Sequence, residues 1–122
     1  MAQFEHGSGE ATTLEALAQT LDLGHLDRQT MGDRALADEV LQLFVIQART
    51  ITERLAAPID KAERQRLVHT LAGSARGIGA WGVAALASAA EASAEDSDLL
   101  PLFEALRAVD GAISARGVGP LD

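Results

Sequence analysis

The chain has 122 residues, of which 48% are hydrophobic and none is cysteine. That allows one buried core without disulfide staples and excludes a thiolate metal site. A formal net charge of −8, from 18 acidic and 10 basic residues, argues against nucleic acid or an anionic membrane as a partner of the surface as a whole.

Tyr is absent, and Phe and Trp number three and one. A chain rich in Ala and Leu with so few aromatics favours helices over strands. No apolar run approaches a membrane span. The opening "MAQFEHGSGE" lacks the basic and apolar regions of a signal peptide, so a cytoplasmic protein is expected.

Residues 1–10 are polar and read as a flexible tail ahead of a helical domain over residues 11–117; residues 118–122 form a short C-terminal tail. From Ala11 to Thr30, the leucines at 14, 17, 21, 23 and 26 suggest one or two short helices broken near Asp22–Gly24. Asp33 is positioned to cap a long helix. Leu36, Val40, Leu43, Phe44, Ile51 and Leu55 recur at three- and four-residue spacing along it, as a buried stripe does. Pro58 ends that helix and Asp60 caps the next, which runs to about Ile78. A further helix is expected over 81–94. A last one over 98–115 carries Leu99, Leu102, Phe103, Leu106, Val109 and Ile113, with Pro101 tolerated in its first turn. No strand pattern or internal repeat is present. The expected architecture is all-α: an antiparallel up-and-down four-helix bundle with an N-terminal helical appendage.

One stretch stands apart: "VHTLAGSARGIGAW", Val68 to Trp81. Gly73, Gly77 and Gly79 lie within ten positions of His69, although a Gly in a helix interior costs roughly 1 kcal/mol relative to Ala. With His69 at zero and about 100° per residue, Leu67, Leu71 and Ile78 fall at about 160°, 200° and 180°. If those three define the buried side, His69 faces water opposite it. Gln65, Ala72, Gly73 and Arg76 then lie within about 60° of the histidine, with Arg66 and Lys61 flanking at about 60° and 80°. Ala72 and Gly73 would offer a partner bare backbone. Three cations beside one histidine in an acidic protein suit a site that meets an anion such as a phosphoryl group. A water-exposed imidazole is partly neutral near pH 7, and neutral imidazole is a nucleophile. A surface histidine on a helix usually has no such role, and Gly77 and Gly79 can mark a helix end; Gly73, mid-helix on the exposed side, is not explained that way.

"HTLAGSARGIGA" resembles the signature of histidine-containing phosphotransfer (HPt) domains, approximately His-x-Leu-Lys-Gly-Ser-[Ser/Ala]-x-x-[Leu/Ile]-Gly. The upstream "LDLGHLDRQTMGDRALADEVLQLFVIQA" also looks like the first helices of that family. The resemblance covers about residues 20–115. It implies that His69 is the phosphoacceptor and that Gly73 admits a partner. It makes Ser74, Ile78 and Gly79 structural positions. The chain departs from the pattern at Ala72, where the family usually has Lys; Arg76, one turn on, is the candidate substitute.

The resemblance further implies a phosphorelay intermediary without kinase activity. Its partners would be receiver domains of response regulators and of a hybrid histidine kinase. No cofactor of its own is expected, Mg²⁺ being supplied by the receiver, and the chain is expected to be a monomer.

Three other classes compete. A histidine-kinase dimerisation module normally has an acidic residue after its histidine, where this chain has Thr70. A phosphorylation-independent helical adaptor or inhibitor would not need an exposed histidine in this motif. A di-metal bundle needs inward Glu-x-x-His sets, which His6, His25 and His69 do not supply. Gln42, Gln47 and Arg49 on the long helix are the candidates for orienting the imidazole.

Overall fold

The computed structural model describes residues 20–93 and 99–118. The N-terminal tail, most of the appendage before Thr20 and the last four residues lie outside them. The described residues form five helices and no strand: α1 (Leu23–Gln29), α2 (Arg34–Ala56), α3 (Lys61–Ile78), α4 (Trp81–Ala92) and α5 (Leu99–Ala115). Helices α2 to α5 form an up-and-down bundle in which α2 packs on α3, α3 on α4, α4 on α5 and α5 back on α2. Arg116, just beyond α5, donates from Nε to Asp38 Oδ1 near the start of α2 at 3.0 Å, which holds those two helices antiparallel.

Local chemistry sets the helix ends. Asp22, Asp33 and Asp60 each occupy an N-cap, accepting from the backbone N–H of His25, Leu36 and Glu63. Each satisfies one of the donors a helix start leaves unpaired. The break expected near Asp22–Gly24 is therefore the capped start of α1. Helix α3 stops at Gly79, which is left-handed at φ 84°. Its N–H and that of Ala80 turn back to carbonyls of the last turn of α3, the usual glycine closure of a helix.

The buried stripes are rotated from the expected ones. On α2 the core side is Ala37, Leu41, Phe44, Ala48, Ile51 and Leu55. Leu43 is 54% exposed, Leu36 sits at the surface and Val40 is half-buried. On α3 the core side is Arg64, Val68, Leu71, Ala72, Ala75 and Ile78, and Leu67 is only partly buried. Both expectations gave weight to the large residues. The bundle instead buries alanines, because close helix approach fills space with backbone and methyl groups. Helix α4, "WGVAALASAAEA", takes this furthest, burying Val83, Ala84, Ala87 and Ala90.

Helix α1 docks on the turn between α3 and α4. Asp22 donates its N–H to Gly79 O at 2.9 Å and accepts from Trp81 Nε1 at 2.9 Å. The His25 and Trp81 rings meet edge to face, centroids 4.8 Å apart. The Trp81 hydrogen bond, and then the His25 N–H, hold the Asp22 carboxyl below its ordinary pKa, since both favour the charged form.

A Cβ at Gly79 would stand 2.8 Å from Asp22 O. Gly79→Ala thus combines a left-handed conformation that L-residues resist with a clash against backbone. It is expected to lower unfolding free energy by about 2–4 kcal/mol in urea denaturation. Gly73→Ala, where an added Cβ meets nothing within 4 Å, should raise it by about 0.5–1 kcal/mol.

Candidate functional site

Measured from His69 at about 100° per residue, the buried residues of α3 centre near −120°. His69 therefore sits on the flank of the buried side rather than opposite it, beside α4, and its side chain is still 71% exposed. The neighbours expected around it divide into two groups.

Gly73 and Gly77 lie on the open side and are exposed, as is Arg66. An added Cβ at either glycine would meet nothing within 4 Å. This bare strip adjoins a groove lined by Val40, Leu43, Phe44 and Gln47 of α2 and by Ser74, Gly77 and Ile78 of α3.

Ala72 is on the other side. It is 1% exposed, so it forms no part of an accessible surface, contrary to the sequence reading. The reason is the rotation of the stripe: a methyl about 60° from His69 toward α4 falls inside the helix–helix contact. Gln65 is half-buried there too.

Four side chains bridge the seam between α3 and α4. Arg64, itself buried, donates from Nη1 to Ser93 O at 3.0 Å. Gln65 donates from Nε2 to Glu91 O at 3.3 Å. Together they serve the C-terminal carbonyls of α4, a helix with no basic residue in its last turn. The guanidinium of Arg64 also suits the negative end of that helix. One turn along, His69 Nδ1 lies 2.9 Å from Glu91 Oε2 and 3.1 Å from Oε1. Finally, Arg76 donates from Nη2 to Ser88 Oγ at 2.8 Å.

Ser88 and Glu91, three apart on α4, share one face. Arg76 therefore reaches back along α3 toward the level of the histidine. A helical side chain covers the turn N-terminal to its own Cα, which for Arg76 is the turn carrying Ala72.

The imidazole's partner is thus Glu91 of α4 and none of Gln42, Gln47 or Arg49 of α2. The sequence carried a signal for it: polar residues Ser88 and Glu91 share one face of an otherwise alanine-rich helix. Which helix that face meets is a matter of packing. Lys61 is exposed in the first turn of α3. His25 packs on Trp81, and His6 lies outside the described residues. Among the described residues no group of three or more His, Cys, Asp and Glu could hold a metal ion. No helix among them is long and apolar enough to cross a membrane.

The described residues thus form a helical bundle that displays a solvent-facing, carboxylate-tethered imidazole next to bare helix backbone. The family model for the Hpt domain matches residues 39–116, more than half of the chain, and the protein belongs to the Hpt domain family. Hpt domains carry out phosphotransfer in two-component signalling and interact with receiver domains of phosphorelay proteins. Comparison with curated proteins and with solved structures returned no match.

If Arg76 covers Ala72, the two positions are coupled. Ala72→Lys should cost about 1–3 kcal/mol of stability in the wild-type background, by forcing a long side chain into the seam. It should cost measurably less in an Arg76→Ala background, where that space is open. A double-mutant cycle in chemical denaturation reads the coupling.

Proposed function

We propose that His69 accepts a phosphoryl group from the aspartyl phosphate of one receiver domain and passes it to the aspartate of another. The observation that carries this reading is the 71% exposure of an imidazole whose Nδ1 is engaged within the fold, which leaves Nε2 to an incoming partner. Nothing else in the site supplies chemistry of its own. The receiver brings the phosphoryl group, and Mg²⁺ belongs to its side of the complex. The domain acts as a monomer in the cytoplasm and has no kinase activity.

In this reading Gly73 and Gly77 admit the receiver's surface, and the Leu43 groove beside them takes apolar contact. Arg76 supplies the cation that other family members carry as Lys at the position of Ala72. Its Ser88 hydrogen bond holds the guanidinium a turn from the histidine, where its fork can meet phosphate oxygens. Gln65 acts through α4, and Arg66 on the open side meets the receiver's acidic surface.

The test is phosphotransfer. Incubation with ATP alone should leave the purified protein unlabelled, whereas a phosphorylated receiver should label it, with the acid lability and base stability of a phosphoramidate. His69→Gln should abolish the label at unchanged stability, because an exposed side chain contributes little to folding. Label that survives His69→Gln would overturn the assignment.

Gly73 separates function from folding. Gly73→Gln should stabilise the helix by about 0.5–1 kcal/mol. It should also slow transfer by about tenfold or more, by standing between imidazole and partner. Normal transfer in that variant would show that close approach at Gly73 is not required.

A further inference from the structure

Helices α2, α3, α4 and α5 pack as a ring of four, so the seam between α5 and α2 is opposite the one between α3 and α4. That far seam is not closed. An open groove of about 340 Å³ runs along it, floored by Phe44, Val45 and Ala48 of α2 and by Phe103 and Leu106 of α5. Its rims are charged: Arg49 and Glu53 on α2, Arg107 and Asp110 on α5, all four exposed. Other arginines of the bundle are engaged, Arg54 with Glu63, Arg76 with Ser88 and Arg116 with Asp38. Arg49 and Arg107 make no ion pair or side-chain hydrogen bond with another described residue, and neither do Glu53 and Asp110.

The rim charges fall in an order. The Arg116–Asp38 contact sets the register of the two antiparallel helices. Counted from it at about 1.5 Å per residue, Asp110 stands at about 9 Å, Arg107 at about 14 Å, Arg49 at about 17 Å and Glu53 at about 23 Å along the groove. The two guanidiniums thus face each other near its middle, with one carboxylate toward each end. Two further features extend the surface. Leu100, level with Glu53 on the other rim, is 65% exposed. Gly111, one turn below Arg107 on the flank of α5 that faces α2, is exposed, and an added Cβ there would meet nothing within 4 Å. A mid-helix glycine weakens the helix, and this one leaves bare backbone at the edge of the groove.

We propose that the groove between α2 and α5 is a second docking surface, which takes an amphipathic helix of a partner protein. The apolar stripe of that helix lies on the floor. Acidic residues at its middle meet Arg49 and Arg107, and a basic residue toward each end meets Asp110 and Glu53. Helix-in-groove recognition uses such a stripe for affinity, and complementary rim charges fix register and exclude wrong partners.

The charge order selects this occupant over others. A second copy of the chain, docked about a two-fold axis through the groove, would bring its own Arg49 and Arg107 against the same two residues, and like charges would meet at the centre. The chain's own N-terminal segment enters the described fold on another side, at Asp22, whose N–H binds Gly79 O in the turn between α3 and α4. A small ligand is enclosed over most of its surface in a typical pocket, whereas this groove is an open trough.

The location gives the surface its use. His69 lies on the flank of α3 beside α4, so a helix held between α5 and α2 leaves the imidazole and the Gly73–Gly77 strip uncovered. The protein can be tethered by one side while partners exchange on the other. The groove itself is argued without reference to phosphotransfer; only this consequence rests on the proposed role of His69.

The experiment uses the full chain and two synthetic, fluorescein-labelled helical peptides of identical composition. Both carry the same leucine stripe on an alanine background. The first has two Glu at its middle and one Lys toward each end; the second has the charges exchanged. Fluorescence anisotropy is expected to show binding of the first peptide with a Kd of about 10–100 µM, and binding of the second at least about tenfold weaker. Arg49→Glu combined with Arg107→Glu, both at exposed positions, should reverse that preference while the helical circular dichroism stays unchanged. Gly111→Gln should weaken the first peptide by about three- to tenfold. His69→Gln should not affect it.

Failure of the first peptide to bind would overturn the proposal. Equal binding of the two peptides, or a preference that the arginine reversals leave unmoved, would overturn it as well. So would a dimer in sedimentation analysis that those reversals dissolve, since the groove would then belong to a second copy. Labelling of His69 by a phosphorylated receiver should proceed at an unchanged rate with the first peptide bound, and a block would refute simultaneous use of the two sides. A protein that binds the peptide as expected and that no receiver labels would refute the phosphotransfer reading and leave the docking surface standing.

Discussion

The close packing of α3 against α4 is the contact on which the rest of the site depends. Ala72 and Ala75 from one helix and Ala84, Ala87 and Ala90 from the other are all buried. Small side chains let helices approach closely, and close approach brings short polar groups on the two rims within hydrogen-bond reach. Glu91 meets His69, and Ser88 meets Arg76, because small side chains dominate the seam between the two helices. A leucine at Ala75 or Ala87 would wedge the helices apart and strain both contacts at once, although neither position takes part in them.

Close packing carries a cost at the end of α4. A helix terminus leaves carbonyls without partners, and this helix ends against α3 with no basic residue of its own to serve them. Arg64 and Gln65 take that role from the neighbouring helix. The same residues that satisfy the backbone also set the height of Glu91 relative to His69. Fold stability and site geometry are thus one set of interactions, and the buried guanidinium belongs to both.

The other rim of α3 is the opposite in character. Gly73 and Gly77 present helix backbone to solvent, and Leu43 across the groove is an apolar side chain with more than half its surface in water. An exposed leucine alone needs no explanation. This one borders exposed helix glycines across a groove, and in the proposed reading that is the side from which the receiver approaches. The histidine stands at the boundary, held by α4 on one rim and open on the other. This asymmetry lets a single ring be held in orientation through Nδ1 while its side chain stays 71% exposed.

The sequence by itself determined the helices, their ends and the family. Asp33, Asp60, Pro58 and Gly79 act within a few residues of themselves, so capping and termination were legible without a fold, and the motif from His69 to Gly79 pointed to the family that the match over residues 39–116 shows. Tertiary structure decided which side of each helix is inside. On α2 and α3 the leucines and isoleucines suggested one rotation, and alanine-mediated packing imposed another. That rotation moved Ala72 from the surface into the core and His69 from the far side of α3 to the flank beside α4. The partner of the imidazole followed from it. Glu91 lies 22 residues from His69 in sequence, and neither spacing nor propensity relates the two. Only the register of two packed helices does, and register is set by the summed fit of many small side chains, which no local pattern records.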